Sequence, residues 1–237
     1  MSEPKLRYMK SAKTIILAAA VSVALTSFAH GDDWANFGRY EISNTEVMQR
    51  PQEQRKVVFL GNSITENWAR MHPDFFNKHG FIPRGISGQT SYQFLLRFRD
   101  DVINLHPDIV VINAGTNDVA ENNHPYKEDR TFGNIVSMVE LAQANGIKPV
   151  LSTVLPALSF GWRPQITDAA QKIKSLNKRL RAYAAAKGIP FIDYYSSMAL
   201  GEIGALNPSM TEDGVHPTSP GYDVMERIVL ETLSTMK

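Results

Sequence analysis

The sequence predicts an α/β domain built on one parallel sheet of five strands covered by helices on both faces. Three observations carry this. Short apolar runs recur without polar alternation, as in strands buried on both sides. Segments of helical period lie between them. At 237 residues the chain is long enough for one such domain with a sizeable core.

The elements follow in order. Residues 30–55 are polar, with Trp34, Phe37 and Tyr40 at three-residue spacing, and read as an arm or short amphipathic helix docked by its aromatics. Val57-Val58-Phe59-Leu60 is the first strand, closed by Gly61, and Ile64–Arg70 suits a helix start. Ile82–Ile86 makes a second strand. Phe94, Leu95, Phe98, Val102 and Leu105 then mark a helix over 92–105. Ile109–Asn113 is the clearest strand, and a helix over 132–144 ends before Gly146. A strand over 149–154 precedes a long helix over 167–187, stopped by Gly188. Residues 190–194 form the last strand, and Pro220 opens a closing helix that runs to Met236. The domain is placed at 56–237.

Composition narrows the function. The formal net charge of +1 gives no reason to expect nucleic acid or an anionic membrane as partner. Lys5, Arg7, Lys10 and Lys13 precede an apolar run from Thr14 to Leu25, with small residues Ser27 and Ala29 before His30. Residues 1–29 therefore read as a secretory signal peptide, too short in its apolar part for a membrane span. They carry four Lys/Arg and one Glu, so the remainder stands at −2. The sequence holds no cysteine, which excludes disulfides, a thiol nucleophile, a thiolate zinc site and a lipidated cysteine. An exported protein, periplasmic or secreted, without stable membrane association is expected.

Three separated stretches supply one chemistry. Gly61-Asn62-Ser63-Ile64-Thr65 places a serine just after a strand. Gly115-Thr116-Asn117-Asp118 places an amide just after another, and Asp213-Gly214-Val215-His216-Pro217 sets a carboxylate three residues before a histidine. Serine needs a base near neutral pH, which histidine supplies, and histidine needs a partner to fix its tautomer. A developing oxyanion needs donors, for which the backbone at Ser63 and the Asn117 amide are candidates. In an open parallel sheet, ligands bind beyond the carboxyl ends of the strands, where all three stretches fall. Alone, each stretch is an ordinary helix cap or turn. Their joint occurrence at element ends points to acyl transfer by Ser63, His216 and Asp213, with no cofactor and no metal.

At these residues the chain resembles the SGNH, or GDSL-type, hydrolase superfamily, from about Lys56 to Leu233. Gly61-Asn62-Ser63 resembles its first block and implies Ser63 as nucleophile. Gly85-Ile86-Ser87-Gly88-Gln89-Thr90 resembles the second and implies the Gly88 N–H as an oxyanion donor beside the Ser63 N–H. Gly115-Thr116-Asn117-Asp118 resembles the third and implies the Asn117 side chain as a further donor. Asp213 to Pro217 resembles the fifth and implies the acid and base. The fold implied is a flavodoxin-like three-layer α/β/α sandwich. Gly88-Gln89-Thr90, Leu95-Leu96-Arg97-Phe98 and Ile112 to Asn117 are similar to the platelet-activating-factor acetylhydrolase-like branch and to exported bacterial carbohydrate acetylesterases. Both imply a short acyl group, with an acetylated carbohydrate or other small ester as substrate. A lipid esterase of lysophospholipase or thioesterase type is the alternative, and a non-catalytic carbohydrate-binding protein the more distant one. The family usually carries Asp where this chain has Asn62. The nucleophile elbow Gly-x-Ser-x-Gly of α/β-hydrolases does not occur.

Trp162 and Arg163, with Phe160 beside them, lie in the loop after the fourth strand. They are candidates to stack on a sugar or wall an acyl pocket, with loop packing as the alternative. Trp68 and Arg70 read as packing and solvent residues, and Arg84 as a local ion-pair partner. His72-Pro73-Asp74, His106-Pro107-Asp108 and the set Asp118, Glu121 and His124 read as turns, since none has compact metal-ligand spacing.

Overall fold

The main sheet has five parallel strands: β1 (Val57–Gly61), β2 (Phe81–Gly85), β3 (Ile109–Ile112), β4 (Lys148–Ser152) and β5 (Phe191–Ile192), and a separate antiparallel pair joins Ala199–Leu200 to Ala205–Leu206. The structure is a computed structural model that describes residues 33–236. The expected signal peptide at 1–29 lies outside them. The order β2-β1-β3-β4-β5 is that of flavodoxin-like sheets. The order reverses at β1, so a crevice opens between β1 and β3 at their carboxyl ends.

Both faces of the sheet are buried, which is why the strands read as unbroken apolar runs. Alternate residues serve opposite layers. Val58, Leu60, Val110 and Ile112 pack against α4 (Ser91–Asp101), α6 (Glu128–Ala144) and α7 (Ala169–Lys187) through Phe94, Phe98, Met138, Ile173 and Leu180. Val57, Phe59, Val111 and Val150 face α2 (Ser63–Met71), α3 (Pro73–His79) and α9 (Ser219–Ser234). There Trp68 stacks on Phe75 at 5.1 Å and on Tyr222 at 5.8 Å, and meets Phe59 edge-on at 5.7 Å. The three-layer sandwich expected from the sequence is present.

Several elements differ from expectation for identifiable reasons. Pro73 opens helix α3 at its first turn, where a missing N–H costs nothing, so the His72-Pro73 turn is also a helix start. The helix over 92–105 ends at Asp101, and a 3-10 turn at Ile103–Leu105 continues the apolar stripe. Gly115-Thr116-Asn117-Asp118 leads into a short helix, α5 (Thr116–Val119), and α8 (Tyr194–Met198) follows β5. In the arm, helix α1 (Glu41–Met48) begins after the aromatics. Tyr40 is anchored by its hydroxyl to the Gly85 carbonyl at 2.5 Å, whereas Phe37 stays exposed. Asn36 closes a turn onto the Asp33 carbonyl, and residues from Phe37 onward form one compact unit that includes the sheet. Among the described residues no helix is long and apolar enough to cross a membrane.

Helix α2 lies hard against the ends of β1 and β2. A Cβ on Gly85 would sit 2.3 Å from the Glu66 nitrogen and 2.7 Å from the Asn62 carbonyl, both backbone atoms. Gly85→Ala should therefore cost about 3 kcal/mol by overpacking. Calorimetry should show the melting temperature falling by about 6–12 °C, and an unchanged melting temperature would mean that α2 can shift freely.

Candidate active site

β1 delivers Ser63 as the first residue of α2, where its N–H has no intrahelical acceptor and faces outward from the positive helix end. Asn62 caps this helix: its Oδ1 accepts from the Ile64 N–H at 2.9 Å while the residue is 1% exposed. The neutral amide thus supplies the acceptor that the family's usual Asp would offer. Tyr222 on α9 donates its hydroxyl to the Ile64 carbonyl at 2.9 Å, tying the serine helix to the helix that follows the histidine loop.

Ser63 Oγ lies 2.9 Å from His216 Nε2, and His216 Nδ1 lies 2.6 Å from Asp213 Oδ2. The second carboxylate oxygen accepts from the N–H groups of Val215 at 2.9 Å and His216 at 2.8 Å. Partial burial works against the Asp213 charge. The hydrogen bonds from the His216 side chain and from these backbone N–H groups outweigh it and bring the carboxyl down to about 2. Thr211, which sequence reasoning passed over, holds this loop. Its hydroxyl donates to the His216 carbonyl at 2.8 Å and accepts from the Gly214 N–H at 3.0 Å, and a bridge joins Thr211 to Pro217.

Across the crevice, α5 presents Asn117, 2% exposed, from the end of β3. Its Nδ2 donates to the Gln89 carbonyl at 2.9 Å, which leaves the other amide hydrogen free to point elsewhere. Gly88, at φ +77°, turns the loop between β2 and α4. Its carbonyl accepts from Asn122 Nδ2 at 3.1 Å, which fixes the peptide plane next to the Gly88 N–H.

A cleft of about 410 Å³ joins these groups, lined among others by Ser63, Gly88, Asn117, Asn122, Trp162 and His216. Asn122 is the second residue missed from sequence. It accepts from Trp162 Nε1 at 2.8 Å through its side chain and from Arg163 Nη2 at 2.8 Å through its carbonyl. Trp162, 44% exposed, sets its ring 6.0 Å from the His216 ring. Arg163 lies behind the cleft wall, clamping the Asn122 carbonyl.

The other singled-out residues fall elsewhere. Trp68 is a core residue. Arg84 is 2% exposed and, among the described residues, bonds only neutral partners, Asn44 Oδ1 at 2.9 Å and the Pro83 carbonyl at 2.7 Å among them, in place of the expected ion pair. Asp118, fully buried, accepts from the Ser91 N–H at 2.9 Å and hydroxyl at 2.5 Å and from Thr131 at 3.2 Å; burial pushes its carboxyl up against these bonds. It is a structural cap of α4. His72 faces Glu226 at 2.6 Å and Ser219 at 2.5 Å instead of Asp74. Among the described residues, His72, Asp223 and Glu226 are the one group with metal-like proximity, and both His72 nitrogens are already engaged there.

Residues 59–224 match the GDSL-like Lipase/Acylhydrolase family, and the chain belongs to it. Among solved structures it is similar to a Bacteroides fragilis protein assigned as an acylhydrolase, at 62% identity and TM-score 0.85 over 87% of this chain and 99% of that one. A GDSL-like lipase from Bacteroides thetaiotaomicron is 59% identical, with TM-score 0.84 over 86% and 100% of the two chains. A multidomain esterase of Ruminococcus flavefaciens is 27% identical over 153 residues, 64% of this chain and 19% of that protein. The chain spans less than half the length of the curated relatives it matches. A mutant acetyl-xylooligosaccharide esterase from Geobacillus shares the fold at 20% identity, with TM-score 0.54 over 75% and 93%.

The depressed Asp213 carboxyl predicts an acid-side stability term. A group whose pKa is lowered on folding stabilises the fold above its unfolded pKa of about 3.9 and loses that contribution as pH falls through its folded value. Below about pH 5 the stability difference between wild type and Asp213→Asn, read from urea unfolding, should shrink towards pH 2. A difference that grows on acidification would contradict the hydrogen-bonding shown here.

Proposed function

We propose that the protein is an exported serine esterase that removes short acyl groups, acetyl foremost, from carbohydrate hydroxyls. The observation that carries the chemistry is the continuous contact Ser63 Oγ–His216 Nε2–Asp213 Oδ2 at 2.9 and 2.6 Å. Ser63 Oγ attacks the ester carbonyl while its proton passes to His216 Nε2. Asp213 holds the ring through Nδ1 and stabilises the imidazolium. The Ser63 and Gly88 N–H groups and the free hydrogen of the Asn117 amide receive the oxyanion. The intermediate collapses as His216 returns the proton to the departing sugar hydroxyl. Water, deprotonated by His216, then releases the acid and restores Ser63.

Two observations support a short acyl group on a sugar. The cleft is small, and its rim is an exposed indole whose N–H is already bonded, which leaves a flat apolar face of the kind that stacks on a sugar ring. The multidomain esterase relative and the acetyl-xylooligosaccharide esterase of like fold are consistent with this reading. Export rests on the basic and apolar residues at 1–29.

Hydrolysis of p-nitrophenyl esters of increasing chain length tests both halves. Acetate release should be fastest, fall with chain length, and be lost in Ser63→Ala. Asn117→Ala should lower kcat by about 10²–10³ with KM little changed. A preference for long chains would move the protein to the lipid-esterase reading. Equal rates in wild type and Ser63→Ala would refute the catalytic assignment.

A further inference from the structure

A second cavity, of about 600 Å³, adjoins the catalytic cleft. Asn67 and Ser87 line both, so the two share a wall. Helix α2 connects them: Ser63, Asn67 and Arg70 follow at spacings of four and three residues and occupy one stripe of the helix. At 1.5 Å rise per residue, Arg70 stands roughly 10 Å along the axis from the nucleophile. The cavity is therefore one short step from Ser63, and Trp162 lines the cleft but not the cavity.

Its charge is one-sided. Four arginines line it, Arg39, Arg50, Arg70 and Arg84, against one carboxylate, Glu66. Glu66 is already used: it pairs with Arg39 at 2.9 Å and accepts from the Ser87 N–H at 2.8 Å and hydroxyl at 2.5 Å. The other three arginines form no ion pair among the described residues. Arg70 meets only the Asn67 amide oxygen, at 3.0 Å.

Arg84 is the unusual member. Its guanidinium is buried over the Tyr40 ring at 4.6 Å, and its hydrogen bonds go to Asn44, Ser43 and the Pro83 carbonyl. Three of its five N–H donors are thus engaged, all by neutral acceptors. The nearby Asp101 is committed to Arg97 at 2.8 Å and to Asn44 at 2.9 Å. Burial without a paired anion lowers the Arg84 pKa to about 10, against the opposing pull of Asp101. Such a cation is costly to bury unless something of opposite charge meets it.

We propose that this cavity is a leaving-group subsite that binds an anionic group, a carboxylate or sulfate, on the sugar whose hydroxyl carries the acyl group. This rests on the esterase reading above and narrows it: the substrate is an acylated acidic saccharide, held by Arg50 and Arg70 at the mouth and by Arg84 beneath. Guanidinium groups suit both anions through paired N–H donors. Ser63 then faces the acyl group at one end of the bound sugar, and the anion lies a helix stripe away at the other.

Binding is measured apart from turnover. Ser63→Ala protein should bind oligogalacturonate that carries no ester, by titration calorimetry, and bind neutral xylooligosaccharide at least tenfold more weakly. Arg50→Gln or Arg70→Gln, each added to Ser63→Ala, should weaken oligogalacturonate binding by about tenfold and leave the neutral sugar as it was. Both lie at the exposed mouth, so folding is not at risk. A sulfated oligosaccharide run in parallel separates the two anion sources, and binding of either that responds to both arginines supports the subsite. Equal binding of acidic and neutral sugars, or no response to either substitution, overturns it. Preferential binding of a short-chain phospholipid that depends on the arginines overturns the saccharide assignment. The p-nitrophenyl acetate assay fails only if the esterase reading fails, so the two failures are distinct.

Discussion

The Arg97 guanidinium is the fixed point on which the site geometry rests. It has no exposed surface and donates to the Gly61 carbonyl at 3.0 Å and the Arg84 carbonyl at 3.0 Å, at the carboxyl ends of two neighbouring strands. It also donates to Gln89 Oε1 at 2.6 Å and pairs with Asp101 at 2.8 Å. One side chain thus closes β1 just before Ser63 and β2 just before Gly88, and grips the loop whose Gln89 carbonyl receives Asn117. Burial lowers its pKa, and the Asp101 charge and hydrogen bond oppose that shift. A buried pair of this kind contributes little net stability against an apolar substitute, but removing one partner leaves an uncompensated charge. What it secures is position: the proposed nucleophile and donors come from different strands, and the relative placement such a site needs tolerates little error.

The site sits at the switch point for a topological reason. β1 is followed by β2 on one side and flanked by β3 on the other, so the loops after β1 and β3 diverge to opposite faces and leave a crevice. The loops after β1 and β3 bring Ser63 and Asn117 to its two sides. The histidine has no strand to place it. Its loop depends on local bonds from Thr211 and Asp213 and on the Tyr222 contact to α2.

What the sequence made legible follows from this division. Strands buried on both faces leave unbroken apolar runs, and Ser63, Asn117, Asp213 and His216 stand at element ends where spacing alone exposes them. The residues that hold these groups were harder to see. Asn122 acts after a turn in which Glu121 takes φ +55°, and three of its bonds join segments far apart in sequence, a relation with no periodic signal. Thr211 looks like any loop threonine. Pro73 marked a turn correctly but hid a helix, because the same fixed φ serves both. Arg84 read as a local ion-pair partner because nothing in the sequence shows that Tyr40 and the neutral groups of α1 cover it.

Asn62 shows how a departure from the family pattern is absorbed. A carboxylate at that buried position would put negative charge beside Ser63, the proposed nucleophile, and under the helix N-terminus, where it would compete with a developing oxyanion for the same positive field. The amide keeps the cap on Ile64 without that charge. The site then carries one carboxylate in direct contact with His216, that of Asp213, whose charge is secured by bonds from its own loop. The Asp213 charge lies on the far side of His216, while the Ser63 and Gly88 N–H groups and the Asn117 amide offer donors on the near side. This polarity, from carboxylate through imidazole to serine and then to N–H groups, matches the direction in which charge moves when an ester is attacked.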